Sequence, residues 1–313
     1  MSAGSSSGGD GRRASPGSAR SGAARHPAQC PSLVCAVVVC LALSVAACAR
    51  MTPGERYVQN FRTRNTAPNV RAPDAPVGAI RPELVFHVRV YADQTYRDGT
   101  PAWAFAVRRR FDTFATFVRQ RFGARLEADA PMAWPYAVSR AEKLSETAAA
   151  LGRQDRGDGV DWVIGFVGQD PDAWPHMASD ERASKFIVVR PGVSGSDGTS
   201  ANRVRNIVDA EVDKVLIARA RHRELFFLAH AWAQSLGVPD ERDEGFLGSR
   251  HYDLQAVEFS EASARLIALG LQYRGDWTPA SRDAWATALR GEIQAHPTLY
   301  PADAAEEIPA WPK

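Results

Sequence analysis

In the stretch ELVFHVRVYAD, residues 83–93, Leu84, Phe86, Val88 and Val90 alternate with a second set that includes His87 and Arg89. That period of two predicts a strand with one buried face. The period then changes. Val107, Phe111, Phe114, Val118 and Phe122 fall at spacings of 4, 3, 4 and 4, one stripe along a helix that stops at Gly123. ARLEAD, residues 124–129, predicts a second strand, and residues 139–152 a helix ending near Gly152. VDWVIGFVG (160–168) and KFIVVRPG (185–192) are apolar runs of strand length closed by glycine, the pattern of central or well-covered strands. The Gly/Ser/Asp-rich residues 192–200 read as a loop.

From residue 209 to 236 a helical pattern dominates. It ends at Gly237 with Pro239 just beyond, a glycine stop followed by a residue that cannot continue a helix. Two more helices are predicted over residues 260–271, with Ser260 as N-cap, and 281–296, before a proline-rich tail. Strands and helices alternate early and helices dominate late. The pattern gives an α/β layer on a sheet of about four strands with a helical lower part. The fold class expected, with the family resemblance of residues 230–240 given below, is α+β with a mixed sheet, packed helices, one long helix and a helical C-terminal part.

Ahead of this domain the chain is different in kind. Residues 1–30 are rich in Ser, Gly and Ala and carry Arg12, Arg13, Arg20 and Arg25; the apolar run LVCAVVVCLALSVAAC follows at 33–48. A basic region, a hydrophobic region and small residues at a cut site is the order of a secretory signal. All four cysteines, Cys30, Cys35, Cys40 and Cys48, lie at or before that cut, so the mature domain has no internal disulfide to rest on. Residues 49–80 hold Pro53, Pro68, Pro73 and Pro76 and show no sustained period, so they read as a tether. The chain has 38 Lys+Arg and 36 Asp+Glu; less the leader's four arginines and one aspartate, 34 face 35. Without a basic excess, nucleic acid is not an expected partner.

Two stretches resemble known families. Val45-Ala46-Ala47-Cys48 resembles the lipobox of bacterial lipoproteins, which implies lipidation at Cys48 and attachment to a membrane; Ala49 after the cysteine implies the outer membrane where the organism has one. HAWAQSLGVPD, residues 230–240, resembles the H-E-x-x-H-x-x-G-x-x-H/D signature of metzincin zinc metalloproteases, with Trp232, the Leu236-Gly237 pair and Pro239 as many bacterial members show them. FLGSRHYD and FSEAS, further on, resemble the methionine-turn segment and final helix of that family. The implied layout is a signal at 1–47, a lipidated cysteine and tether at 48–80, a metzincin-like domain at 81–275, and a C-terminal helix and tail at 276–313.

Carried over by position, His230 matches the first metal ligand and Asp240 the third. Gln234 replaces the second ligand and Ala231 the general-base glutamate. No methionine follows His230, so Leu247 stands in at the methionine turn, and His251 and Tyr252 are further cleft candidates. A general base of this kind is worth about 10²–10⁴-fold in rate, and a neutral amide is a weak zinc ligand beside imidazole and carboxylate. No catalytic residue is intact, and no cofactor is expected, although zinc could sit at the degenerate His230, Gln234, Asp240 site. Spacing adds three further expectations: Glu224 projects away from the face of His230, His222 lies too far along the helix to share a metal with it, and Glu241 and Glu244 stand in a mobile stretch. The basic run at 108–110 reads as a solvated helix face.

The leading expectation is an exported, membrane-anchored pseudoprotease whose remnant cleft binds a peptide or protein. The alternatives are a zinc-dependent hydrolase with a non-standard site and a structural envelope lipoprotein.

Overall fold

The computed structural model describes residues 53–65, 84–137, 143–168, 184–190, 207–243, 245–275 and 278–306. Cys48, the signal segment, the loop at 192–200 and Glu244 lie outside the described residues. Among the described residues, no helix is long and apolar enough to cross a membrane.

Helix α1, Pro53–Asn65, falls inside the segment read as a tether. Its half-buried residues, Gly54, Val58 and Phe61, share one face, and its termini follow helix physics. Proline opens it, Glu55 lies in its first turn, and Arg62 and Arg64 lie in its last turn, where they complement the helix dipole. Strand β1, Val85–Ala92, leads into a short helix α2, Gln94–Gly99, and then α3, Trp103–Phe122. Asp93 caps α2 and ties it down: Oδ1 accepts from Tyr96 N at 2.7 Å and from Gly168 N at 2.8 Å. Helix α3 stops at Gly123, whose φ of 69° supplies the left-handed cap. After it come β2, Arg125–Ala128, and the two-residue β3, Met132–Ala133, which the sequence pattern did not announce. Helix α4, Leu144–Gln154, ends two residues beyond Gly152, near the expected stop. Strands β4, Trp162–Phe166, and β5, Phe186–Val189, complete the sheet. Helices α5, Ile207–Ser235, α6, Glu261–Arg274, and α7, Pro279–Ala295, follow.

The strand order is β2-β1-β4-β5, with β3 also on β1. Every described pairing is parallel, so the expectation of a mixed sheet is corrected. The physical reason is the connection length. Helix α3, between β1 and β2, and helix α4, between β3 and β4, carry the chain back over the sheet, so β2 and β4 run the same way as β1, while β3 continues along β1 beyond β2.

Both faces of the sheet are covered. Phe86, Val88 and Val90 of β1, with Trp162, Ile164 and Phe166 of β4, meet α3, α5, α6 and α7. Tyr91, Val163 and Val188 face the other way, onto Leu144, Ala148 and Leu151 of α4 and onto Trp134. All five residues of the expected α3 stripe are buried, each large side chain contributing about 1.5–3 kcal/mol. Helix α7 joins the same core through Trp285, Leu289 and Ile293.

Polar groups are bound into these layers. Arg274 lies over the Trp162 ring at 4.1 Å and donates to Asp161 O, and burial lowers its pKa to about 9. On the α4 side, Asp155 is buried and accepts from Arg89 Nη1, from Gly157 N at 2.7 Å and from Tyr91 OH at 3.0 Å. Burial opposes its ionisation, but the Arg89 guanidinium and the other donors outweigh it and hold the carboxyl below its usual range.

Because the folded pKa of Asp155 is depressed, its contribution is complete above the unfolded value of about 3.9 and is lost as pH falls through the folded one. Asp155→Asn is expected to cost about 1–3 kcal/mol at pH 7. Urea unfolding between pH 5 and 3 should show a shallower loss of stability in the variant. Parallel pH profiles would remove Asp155 from this role.

Candidate functional site

The last three turns of α5 are buried on every side, by the sheet, α3, α6 and α7. Within them His230 and Gln234 stand one turn apart on a single face. The helix closes with Gly237 N donating to Gln234 O at 2.8 Å and Val238 N donating to Ala233 O at 3.2 Å. This pair of bonds is the Schellman arrangement, and it needs a left-handed residue between helix and exit. Gly237 provides it with φ at 88°; a Cβ there would lie 2.6 Å from Trp285 Cζ2. The chain therefore reverses tightly, and Asp240 returns to the helix it has just left.

Three side chains meet at that return. Gln234 Nε2 donates to Asp240 Oδ1 at 2.7 Å, and His230 Nε2 lies 3.3 Å from the same oxygen. His230 Nδ1 faces Leu247 O at 3.2 Å, and its ring lies parallel to Phe226, one turn earlier. His230 and Gln234 are buried, whereas the Asp240 side chain keeps 29% of its surface. Burial opposes the Asp240 charge, but His230, then Gln234 and Arg250, outweigh it and lower the pKa. Ala231 is buried and offers no proton-transfer group.

These residues do not fit a catalytic zinc. A tetrahedral site takes three strong protein ligands and keeps one position open. Here only an imidazole and a carboxylate qualify, and among the described residues no three His, Cys, Asp or Glu side chains group as metal ligands. The amide presents its nitrogen to the carboxylate, while Gln234 Oε1 is buried without a hydrogen-bond partner among the described residues. Both ring nitrogens of His230 already face oxygen atoms, Leu247 O and Asp240 Oδ1.

The other candidates are placed elsewhere. Tyr252 does not join His230: its hydroxyl is 3.0 Å from His222 Nδ1, and the Phe226 ring packs edge-on against it. His222 Nε2 faces Ala256 O at 2.8 Å, so it carries the proton and Nδ1 accepts from Tyr252. Burial pushes the Tyr252 hydroxyl up to about 12 and lowers the His222 pKa. His251 is exposed, with only its backbone N bonded to Ser249 Oγ among the contacts described. Leu247 is fully buried and supplies the carbonyl on His230.

Glu241 is not in a mobile stretch: it is buried, its N donates to Gly248 O at 2.9 Å, and its carboxylate accepts from Ser260, the N-cap of α6. Arg110 is not solvated either. Its Nε donates to Glu224 Oε2 at 2.7 Å in a buried pair linking α3 to α5. A signal for the His222 contact was present, since His222, Phe226 and His230 repeat every four residues and so face one neighbouring segment.

Gly237→Ala is expected to cost roughly 2–4 kcal/mol, from left-handed strain and the clash with Trp285 together. Gly245 has open space around it and no positive φ, so Gly245→Ala should stay within about 0.5 kcal/mol of the parent. Equal midpoints for the two variants in urea unfolding would refute the role given to the bend.

No protein-family model matches the chain, and no curated protein matches its sequence. Among solved structures, the chain is similar to a crystal structure of archaemetzincin from Methanopyrus kandleri, with 17% sequence identity and a TM-score of 0.38, over 61% of this chain and 96% of that one.

Proposed function

We propose that the chain is an exported, lipid-anchored protein whose metzincin-like domain no longer cleaves peptide bonds and acts as a binding module. The observation that carries this reading is the Gln234 amide nitrogen bonded to Asp240 Oδ1 at 2.7 Å. At the position of a second zinc ligand it places a donor, and it uses a lone pair of the third ligand to hold the chain together. Ala231 removes the general base at the same time, and acid–base catalysis of that type is worth about 10²–10⁴-fold. Two losses in one cluster leave helix, bend and carboxylate as structure without the hydrolytic chemistry. Among the described residues β5 is an end strand of the sheet, beside α5, the kind of edge on which an extended peptide can add a strand. Lipid attachment rests on the sequence at Cys48 alone.

A second reading, a zinc-dependent hydrolase with a non-standard site, is favoured by one distance. The 3.3 Å between His230 Nε2 and Asp240 Oδ1 is close to that between two tetrahedral ligands at about 2.0–2.1 Å from one zinc.

Metal analysis after dialysis against zinc separates the readings. The purified chain is expected to retain far less than one zinc per molecule and to show no chelator-sensitive peptidase activity. Gln234→His, which supplies a third strong ligand, should bring stoichiometric zinc. Stoichiometric zinc in the parent chain that disappears in His230→Ala would establish the hydrolase reading instead. For the anchor, a labelled fatty acid fed to expressing bacteria should appear on the parent chain and be absent from Cys48→Ser; equal labelling would discard lipidation at that residue.

A further inference from the structure

A cavity of about 70 Å³ opens in the groove between α3 and α5, away from the His230 cluster. Its α5 lining, Arg221, Glu224, Leu225 and Leu228, follows helical spacing on one face. His230 lies roughly 200° around the helix from Leu228, at about 100° per residue. The cavity and the cluster therefore sit on opposite sides of the same helix.

The charges in this cavity do not cancel. Arg110 and Glu224 form a buried ion pair with each other. Arg109 and Arg221 also line the cavity, are exposed, and have no ion-pair or side-chain hydrogen-bond partner among the described residues. Two guanidiniums are thus left over, one from each helix. Deeper surfaces are apolar: Phe166 and Leu228 are both buried core residues. Phe166 is also the last residue of β4, and open parallel sheets bind ligands beyond the carboxyl ends of their strands. Guanidinium forks match a carboxylate, and an apolar floor of this size admits a short hydrocarbon chain.

We infer that this cavity is a binding site for a small monocarboxylate with a short apolar tail, its charge between Arg109 and Arg221 and its tail against Phe166 and Leu228. The site is independent of any chemistry at His230. A bare inorganic anion would satisfy the arginines and leave the floor empty. An amine of the same length would meet two like charges.

Equilibrium dialysis of the full chain with radiolabelled butyrate tests this, with butylamine and inorganic phosphate as parallel probes. Butyrate should bind saturably near one per chain, phosphate more weakly, and butylamine not at all. Arg109→Ala and Arg221→Ala should each weaken butyrate binding by roughly tenfold, the worth of a hydrogen bond to a charged group. Arg290→Ala, which removes an exposed cation on α7, should leave it unchanged. Because Arg109 and Arg221 are exposed and unpaired, the variants should keep the parent's thermal midpoint. Arg221→Gln, which retains a hydrogen-bonding stem without charge, should lie between parent and alanine variant. The inference fails if butyrate does not bind, if butylamine binds as well, or if both cavity variants bind butyrate like the parent.

Discussion

The geometry of this molecule turns on one backbone conformation, the left-handed residue at Gly237. A side chain there would strike Trp285, and a residue confined to negative φ could not close the end of α5 as the two capping bonds require. From that bend follow the return of Asp240 to His230 and Gln234, the burial of Glu241 against the N-cap of α6, and the seating of α7 over the helix exit. A single reversal joins the candidate site to the packing of the last two helices. Stability and site geometry cannot be separated there.

Helix α5 is the second constraint. A helix buried all round in its last turns must satisfy each polar group it carries, because an unpaired buried group costs about 1–3 kcal/mol. Glu224 meets Arg110, His222 lies between Tyr252 and Ala256, and Ser235 takes the Trp162 indole N–H at 2.8 Å. Two groups are exceptions among the described residues: the Trp232 indole N–H has no hydrogen-bond partner, and Gln234 is satisfied through its nitrogen but not at its oxygen. That imbalance marks the position where the resemblance to a metal site is strongest and the donor chemistry weakest.

The two faces of α5 divide the functional possibilities between them. One carries the closed cluster of His230, Gln234 and Asp240, whose hydrogen bonds are made largely within itself. The other carries an open cavity whose arginines have charge to spare. Their separation by half a helical turn means that a change in one site places no direct demand on the other.

Alternation determined β1 and helical spacing α3, since each writes its period into the chain, while β4 and β5, buried on both faces, showed as continuous apolar runs, and end signals helped to mark α6 and α7. The Schellman exit was legible as well, because Gly237 and Pro239 have few other uses at a helix end. The meeting of His230, Gln234 and Asp240 could be anticipated only from a resemblance, not from any period. What the tertiary structure alone decided was partnership. Arg110 looked like part of a solvated basic run until α5 placed Glu224 against it; Glu241 looked like surface until Ser260 closed over it; Tyr252 went to His222 rather than to the cleft. The parallel direction of the sheet and the pairing of the two-residue β3 also belong to the assembled molecule. Local sequence fixes which face of an element is apolar, but the neighbour that answers a buried charge comes from across the fold, over separations that no short pattern records.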